Sequence, residues 1–228
     1  MSKNSLVMDD SHTSIITEAF RAFRTNILYS NADENIKSIL FTSAGAGEGK
    51  SVTAANTAVA LAQAGQKVII LDCDLRKPFQ HKIFEQKNIG LTNFFYERCP
   101  ITDFIQTTSI PDLRLVASGP VPPNPSELLA TSKMREAITL LRSQADYLII
   151  DSPPVLPVTD ACILGSKVDG IILVVGVGKV KPEMAQRAKE HLETAKGNIL
   201  GIIINRSETY LEQSAYDQYY GNMDKIAN

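Results

Sequence analysis

The chain has 228 residues, 44% of them hydrophobic and 21% charged, with a formal net charge of -2. That length suits one α/β domain with a substantial core, and the charge gives no electrostatic reason to expect a nucleic-acid partner. Cys73, Cys99 and Cys162 show no CxxC spacing, which argues against a disulfide framework or a zinc site and fits a reducing cytosol. No apolar run resembles a secretory leader, and none reaches the ~18 residues of a membrane span.

In chain order, residues 1–13 are polar and read as a flexible start. Residues 14–30 read as a helix, with Ile16, Phe20, Phe23 and Ile27 as one apolar stripe and Glu18, Arg21 and Arg24 opposite it. Six β-rich runs follow: 38–42, 68–71, 113–116, 147–150, 170–175 and 200–204. Several are apolar on both faces, as central parallel strands are. Helical segments at 51–64, 132–144 and 182–196 alternate with them. This pattern predicts a single α/β domain, a mostly parallel sheet with helices on both faces. The segment Gly119-Pro-Val-Pro-Pro-Asn-Pro125 reads as a stiff loop into a helix capped by Ser126. Residues 207–228 are polar and hold Tyr210, Tyr216, Tyr219 and Tyr220, four of the seven tyrosines in the chain.

Ala44-Gly-Ala-Gly-Glu-Gly-Lys-Ser51 follows the first predicted strand and opens a helix, the context of a P-loop. Its glycines let backbone N–H groups turn onto phosphate oxygens, and the helix N-terminus adds partial positive charge. The phosphate cradle is therefore Gly45, Ala46, Gly47, Glu48, Gly49, Lys50, Ser51 and Val52. Lys50 reaches the β- and γ-phosphates of ATP, and the Ser51 hydroxyl is a ligand for Mg²⁺. The leading position is Ala44 rather than Gly, a small residue where the turn begins.

Two predicted strands end in aspartates, in Val68-Ile-Ile-Leu-Asp72-Cys-Asp74-Leu-Arg76 and Leu148-Ile-Ile-Asp151-Ser-Pro-Pro154. Strand carboxyl ends are where open parallel sheets collect ligands. Asp74 and Asp151 join Ser51 as metal candidates, because Mg²⁺ takes an octahedral oxygen shell and keeps several waters. Asp72 could orient an attacking hydroxyl or accept its proton, and Arg76 could stabilise charge on the transferring group. The plainer alternative is that Asp72 caps a helix and Arg76 pairs with an aspartate.

With these residues in view, the sequence resembles, over nearly its whole length, the bacterial tyrosine kinases of capsular and exopolysaccharide synthesis. The resemblance rests on the P-loop, on Asp72–Arg76, on Asp151–Pro154 and on the tyrosine cluster. Leu75-Arg-Lys-Pro78, Ser118-Gly-Pro-Val-Pro-Pro-Asn-Pro-Ser-Glu-Leu128 and Leu200-Gly-Ile-Ile-Ile-Asn205 match as well. The HRD and DFG signatures of eukaryotic-type kinases are missing. The resemblance implies a P-loop NTPase fold and transfer of phosphate from Mg-ATP to protein tyrosines. The acceptors would include Tyr210, Tyr216, Tyr219 and Tyr220 of a neighbouring copy. Glu18-Ala-Phe-Arg21-Ala-Phe-Arg24 looks like the family's oligomerisation motif, whose charges pair with the next subunit and close a ring. A transmembrane chain-length regulator would act as activator and hold the cytoplasmic kinase at the inner face of the membrane. Asn205 would read the adenine ring, as in related P-loop ATPases, or cap a loop.

The rival readings are a partition- or septum-site ATPase, a nucleotide-dependent scaffold and a small-molecule ligase. The first carries a lysine where this chain has Gly45 and often ends in an amphipathic membrane helix. The second sits poorly with an intact Lys50, Ser51 and three aspartates. The third lacks a substrate domain.

Overall fold

Runs of aliphatic residues with no polar face are stable only where both faces of a sheet are covered. The computed structural model describes residues 6, 14–34 and 36–206, apart from the side chains of 30–34, and puts those runs at the centre of one sheet. Its strands are β1 (Ser38–Ser43), β2 (Val68–Asp72), β3 (Gln106–Thr107), β4 (Leu113–Val116), β5 (Tyr147–Asp151), β6 (Gly170–Gly176) and β7 (Ile199–Asn205). The spatial order is β3-β4-β2-β5-β1-β6-β7, all parallel except the β3–β4 pair. β1, β2 and β5 are buried at every position.

Side chains alternate across the sheet, so each strand feeds two cores. Ile39, Phe41, Ile70, Ile149 and Val174 pack beneath α1 (Ile15–Glu34) and α2 (Lys50–Ala62). Leu40, Leu71, Leu148, Ile150 and Leu173 form the other core. That face is covered by α4 (Leu91–Tyr96), α5 (Pro125–Ala130), α6 (Ser132–Arg142), α7 (Asp160–Gly165) and α8 (Pro182–Thr194). The short α3 (Gln80–Ile83) follows β2. Helices on both faces of a mostly parallel sheet are the architecture expected from the alternating pattern.

The six expected strands form, most of them extended by a residue at an end. β3 was not foreseen: two polar residues become a strand only through pairing with β4. The cap assigned to Ser126 is corrected. α5 starts with Pro125 at its first position behind Asn124, and the Ser126 hydroxyl donates to Asp160 Oδ1 at 2.6 Å.

The apolar stripe of α1 packs against the core at Phe20, Phe23 and Ile27 as expected, but not at its first position. Ile16 is 54% exposed, whereas Thr17 is buried. Arg24 does not stand opposite the stripe: its Nη1 approaches the Ala60 carbonyl of α2 at 3.5 Å, and its Nε is buried without a partner. The residues assigned to a flexible start and a tyrosine-rich tail lie outside the described residues, apart from residue 6. Cys73, Cys99 and Cys162 are free thiols. Among the described residues no helix is long and apolar enough to cross a membrane.

Candidate active site

The P-loop leaves the central strand β1 and enters α2 at Lys50. Gly47 and Gly49 have φ of 80° and 93°, in the left-handed region where a side chain strains the backbone. At Gly49 there is also no room: an added Cβ would sit 2.2 Å from Asn205 Nδ2. Ala44 is fully buried among core residues, so a small side chain suits the leading position.

Glu48 is fully buried and points inward. Its Oε1 accepts from the Gly45 N–H at 2.5 Å and its Oε2 from the Gly176 N–H at 2.9 Å. Its carbonyl accepts from Asn205 Nδ2 at 2.8 Å. The carboxylate thus ties the loop to itself and to the end of β6, and Asn205 ties it to β7. Asn205 therefore contacts the loop with the amide that the sequence assigned to the adenine or to a cap; its Oδ1 accepts from the N–H of Arg206.

β2 and β5 are neighbours in register, with Asp72 opposite Asp151. Lys50 Nζ donates to Asp74 Oδ2 at 3.0 Å, to Asp151 Oδ1 at 3.1 Å and to Ser51 Oγ at 3.0 Å. Burial disfavours the ammonium, but Asp151 and Asp74 outweigh it, and the lysine pKa is raised. The structure therefore gathers Lys50, Ser51, Asp74 and Asp151 into one cluster at the strand ends.

Asp72 has a different environment. Oδ2 accepts from the N–H groups of Phe79 and Gln80 at 2.9 and 3.0 Å, and Oδ1 from that of Asp74 at 3.1 Å. It organises the loop after β2. Burial and the neighbouring Asp151 push its carboxyl up to about 7, against the opposing pull of the Gln80 and Phe79 N–H groups and Lys50. Arg76 is paired with the buried Asp160 of α7, Nε to Oδ2 at 2.9 Å and Nη2 to Oδ1 at 3.0 Å. Its Nη2 also donates to Ser126 Oγ at 2.8 Å.

Sequence reasoning missed Gln80 and Asp160, and gave Ser126 only a capping role. Gln80 Nε2 donates to Asp151 Oδ2 at 2.8 Å and to the Ser51 carbonyl at 3.0 Å. Nothing in the local sequence marks Gln80, since its partners lie 71 and 29 positions away.

Among the described residues no group of three or more His, Cys, Asp or Glu side chains closes on a metal. The cluster does fit Mg²⁺ bound with a nucleotide. It offers hard oxygen donors in Ser51, Asp74 and Asp151, and the buried Gln80 Oε1 beside them lacks a hydrogen-bond partner. Phosphate and water oxygens would complete that shell.

On α1, Glu18 pairs with Arg21 within the helix, both partly exposed. Arg24 turns to α2 instead. The four tail tyrosines lie outside the described residues.

The family model ParA, described as NUBPL iron-transfer P-loop NTPase, matches residues 35–224. The tyrosine-protein kinase YwqD of Bacillus subtilis (strain 168) is 41% identical, over 99% of this chain and 94% of its own. The crystal structure of the chimerical protein CapA2B2 is similar, with a TM-score of 0.86 at 38% identity, covering 92% of this chain and 93% of that one. The kinase domain of the Escherichia coli tyrosine kinase ETK gives a TM-score of 0.83 at 30% identity, over 91% and 83% of the two chains.

Proposed function

The chain belongs to the bacterial tyrosine-protein kinases on a ParA-type P-loop NTPase fold, and from that premise we propose how its residues move phosphate from Mg-ATP to tyrosine. The observation that carries the reading is the Lys50 ammonium held between Asp74 and Asp151 at the mouth of the P-loop. A cation already balanced by two carboxylates can turn to a phosphate without leaving a lone buried charge on either side, provided the carboxylates gain new partners. Backbone amides of 45–52 hold the phosphates, and Ser51, Asp74 and Asp151 hold the metal and its waters. Magnesium, when bound, neutralises charge on the transferring group.

Asp72 acts as a positioning residue, because three backbone N–H groups already occupy its oxygens. Arg76, fixed by Asp160, sets a positive edge at the rim for the transferring phosphoryl group. Transfer through a loose transition state asks for placement and charge more than for a strong base.

The acceptors are Tyr210, Tyr216, Tyr219 and Tyr220 of a neighbouring copy, together with tyrosines of other proteins. Glu18, Arg21 and Arg24 mediate a ring, in which Glu18 and Arg21 exchange their mutual pair for contacts with the next subunit. A transmembrane regulator of capsule or exopolysaccharide synthesis recruits and activates the kinase at the inner membrane face. Phosphate on the tail adds negative charge that opposes docking, so the assembly loosens as it is modified.

Phosphorylation mapping by mass spectrometry tests this. The chain is incubated with Mg-ATP, with and without a candidate activator peptide, beside Lys50→Met. Phosphate on the tail tyrosines, missing in the control, is the expected result. ATP hydrolysis without phosphotyrosine under any condition would return the reading to a partition- or septum-type ATPase.

A further inference from the structure

Gln80 is fully buried, and its carboxamide is used on one side only. The Ser51 carbonyl and Asp151 Oδ2 can only accept hydrogen bonds, so both must face the amide NH₂. That fixes which end of the amide is the NH₂ and leaves Oε1 as the other end, buried and without a partner. A buried amide oxygen left without a donor is costly and rare in native structures. Packing alone would be served better by an apolar side chain of the same length.

The backbone of Gln80 is fixed as well, since its N–H donates to Asp72 Oδ2. The residue therefore links the aspartate motif after β2 to the aspartate at the end of β5. Through the Ser51 carbonyl it also touches the first turn of α2, whose hydroxyl is a proposed metal ligand. Gln80 and Lys50 each hydrogen-bond to both Ser51 and Asp151.

We infer that Gln80 is a positioning residue of the loaded site: its NH₂ sets the Asp151 carboxylate, and its Oε1 accepts a hydrogen from the water shell of magnesium–nucleotide. This rests on the reading that the cluster holds Mg-nucleotide. Magnesium keeps several of its waters, and each brings donors that need acceptors. Asp151 supplies acceptors for such water, and Gln80 supplies one more at its side. Outer partners of this kind typically change metal affinity by about 10- to 100-fold when removed.

The test measures ADP binding to the full chain by calorimetry, with Mg²⁺ and with EDTA, for wild type, Gln80→Met and Gln80→Glu. Thermal melts accompany each state. Gln80→Met should weaken Mg-ADP binding about tenfold and leave metal-free ADP binding within about twofold. Gln80→Glu keeps an oxygen acceptor but sets it against Asp151. Its metal-free melting temperature should fall, and Mg-ADP should raise it by more than in wild type. Equal losses for Gln80→Met with and without metal, or no loss in either, would overturn the inference. So would Gln80→Glu gaining no more from Mg-ADP than Gln80→Met, a comparison that needs only melts. If wild type itself bound ADP no better with Mg²⁺ than with EDTA, the reading of the site would fail, and the inference would fall with it; the losses in Gln80→Met named above overturn the inference alone.

Discussion

The centre of the sheet and its β7 edge are built from the same aliphatic residues and end up opposite in character. At the centre, Lys50, Asp72, Asp74 and Asp151 are almost wholly buried, and each has several polar partners. At the edge, Ile202 and Ile204 are 49% and 56% exposed, and with Val177, Val180 and Pro182 they line an apolar groove of about 500 Å³. Phosphate chemistry needs fixed dipoles held away from water, and the centre supplies them. The edge offers area without polar commitments, so it tolerates change. A largely apolar groove is the usual first guess for a small-molecule site, yet here the chemistry-bearing residues are all elsewhere.

The largest effect that would sharpen this contrast comes from Lys50→Met. It leaves Asp74 and Asp151 facing each other without the cation between them. Phosphotransfer should fall by ~10³-fold or more, and the metal-free chain should lose about 3 kcal/mol in urea unfolding. Unchanged stability would mean that the cluster is not the preorganised centre described. Gly49→Ala comes next. At φ 93°, with Asn205 Nδ2 in the way, it should cost about 1–3 kcal/mol. Nucleotide binding, followed by calorimetry, should weaken with it.

A smaller effect is pH-dependent. The Asp72 carboxyl rises from 3.8 to about 7 in the folded chain, so between those values the folded state binds more protons than the unfolded one. Its contribution to stability is therefore complete below about pH 4 and is lost as pH rises through about 7. Urea melts without metal should show stability falling over that window in wild type, with a shallower slope in Asp72→Asn. The smallest effect belongs to the edge: Ile204→Lys should change stability by no more than about 0.5 kcal/mol and leave ATP turnover of the isolated chain unchanged. A large loss there would erase the distinction between the regions.

The same contrast explains what could be read from sequence. Fully buried parallel strands write themselves as apolar runs, and a P-loop has fixed spacing, so 38–51 and the aspartate-tipped strands were legible. α3, α4 and α7 have only four to six residues, too few to show a period. Asp160 was hidden because its partners Arg76 and Ser126 lie 84 and 34 positions away. In α1 the packed face was misjudged only at Ile16 and Arg24. Arg24 brings a long aliphatic stem to α2, which an apolar count does not register.

The strand order also has a consequence for synthesis. β1 lies at the middle of the sheet, yet Ser38 pairs with Leu148 and Ile39 with Gly170. A chain emerging from a ribosome therefore carries a strand that ends fully buried, and the loop behind it, for over a hundred residues before either sheet neighbour exists. Such distant pairing slows folding and leaves apolar segments open to wrong partners. The phosphate loop can take its final shape only after β6 is made, because Glu48 is tied to Gly176. A nascent chain that stalls before that point has the whole nucleotide motif in its sequence and cannot yet close its cradle.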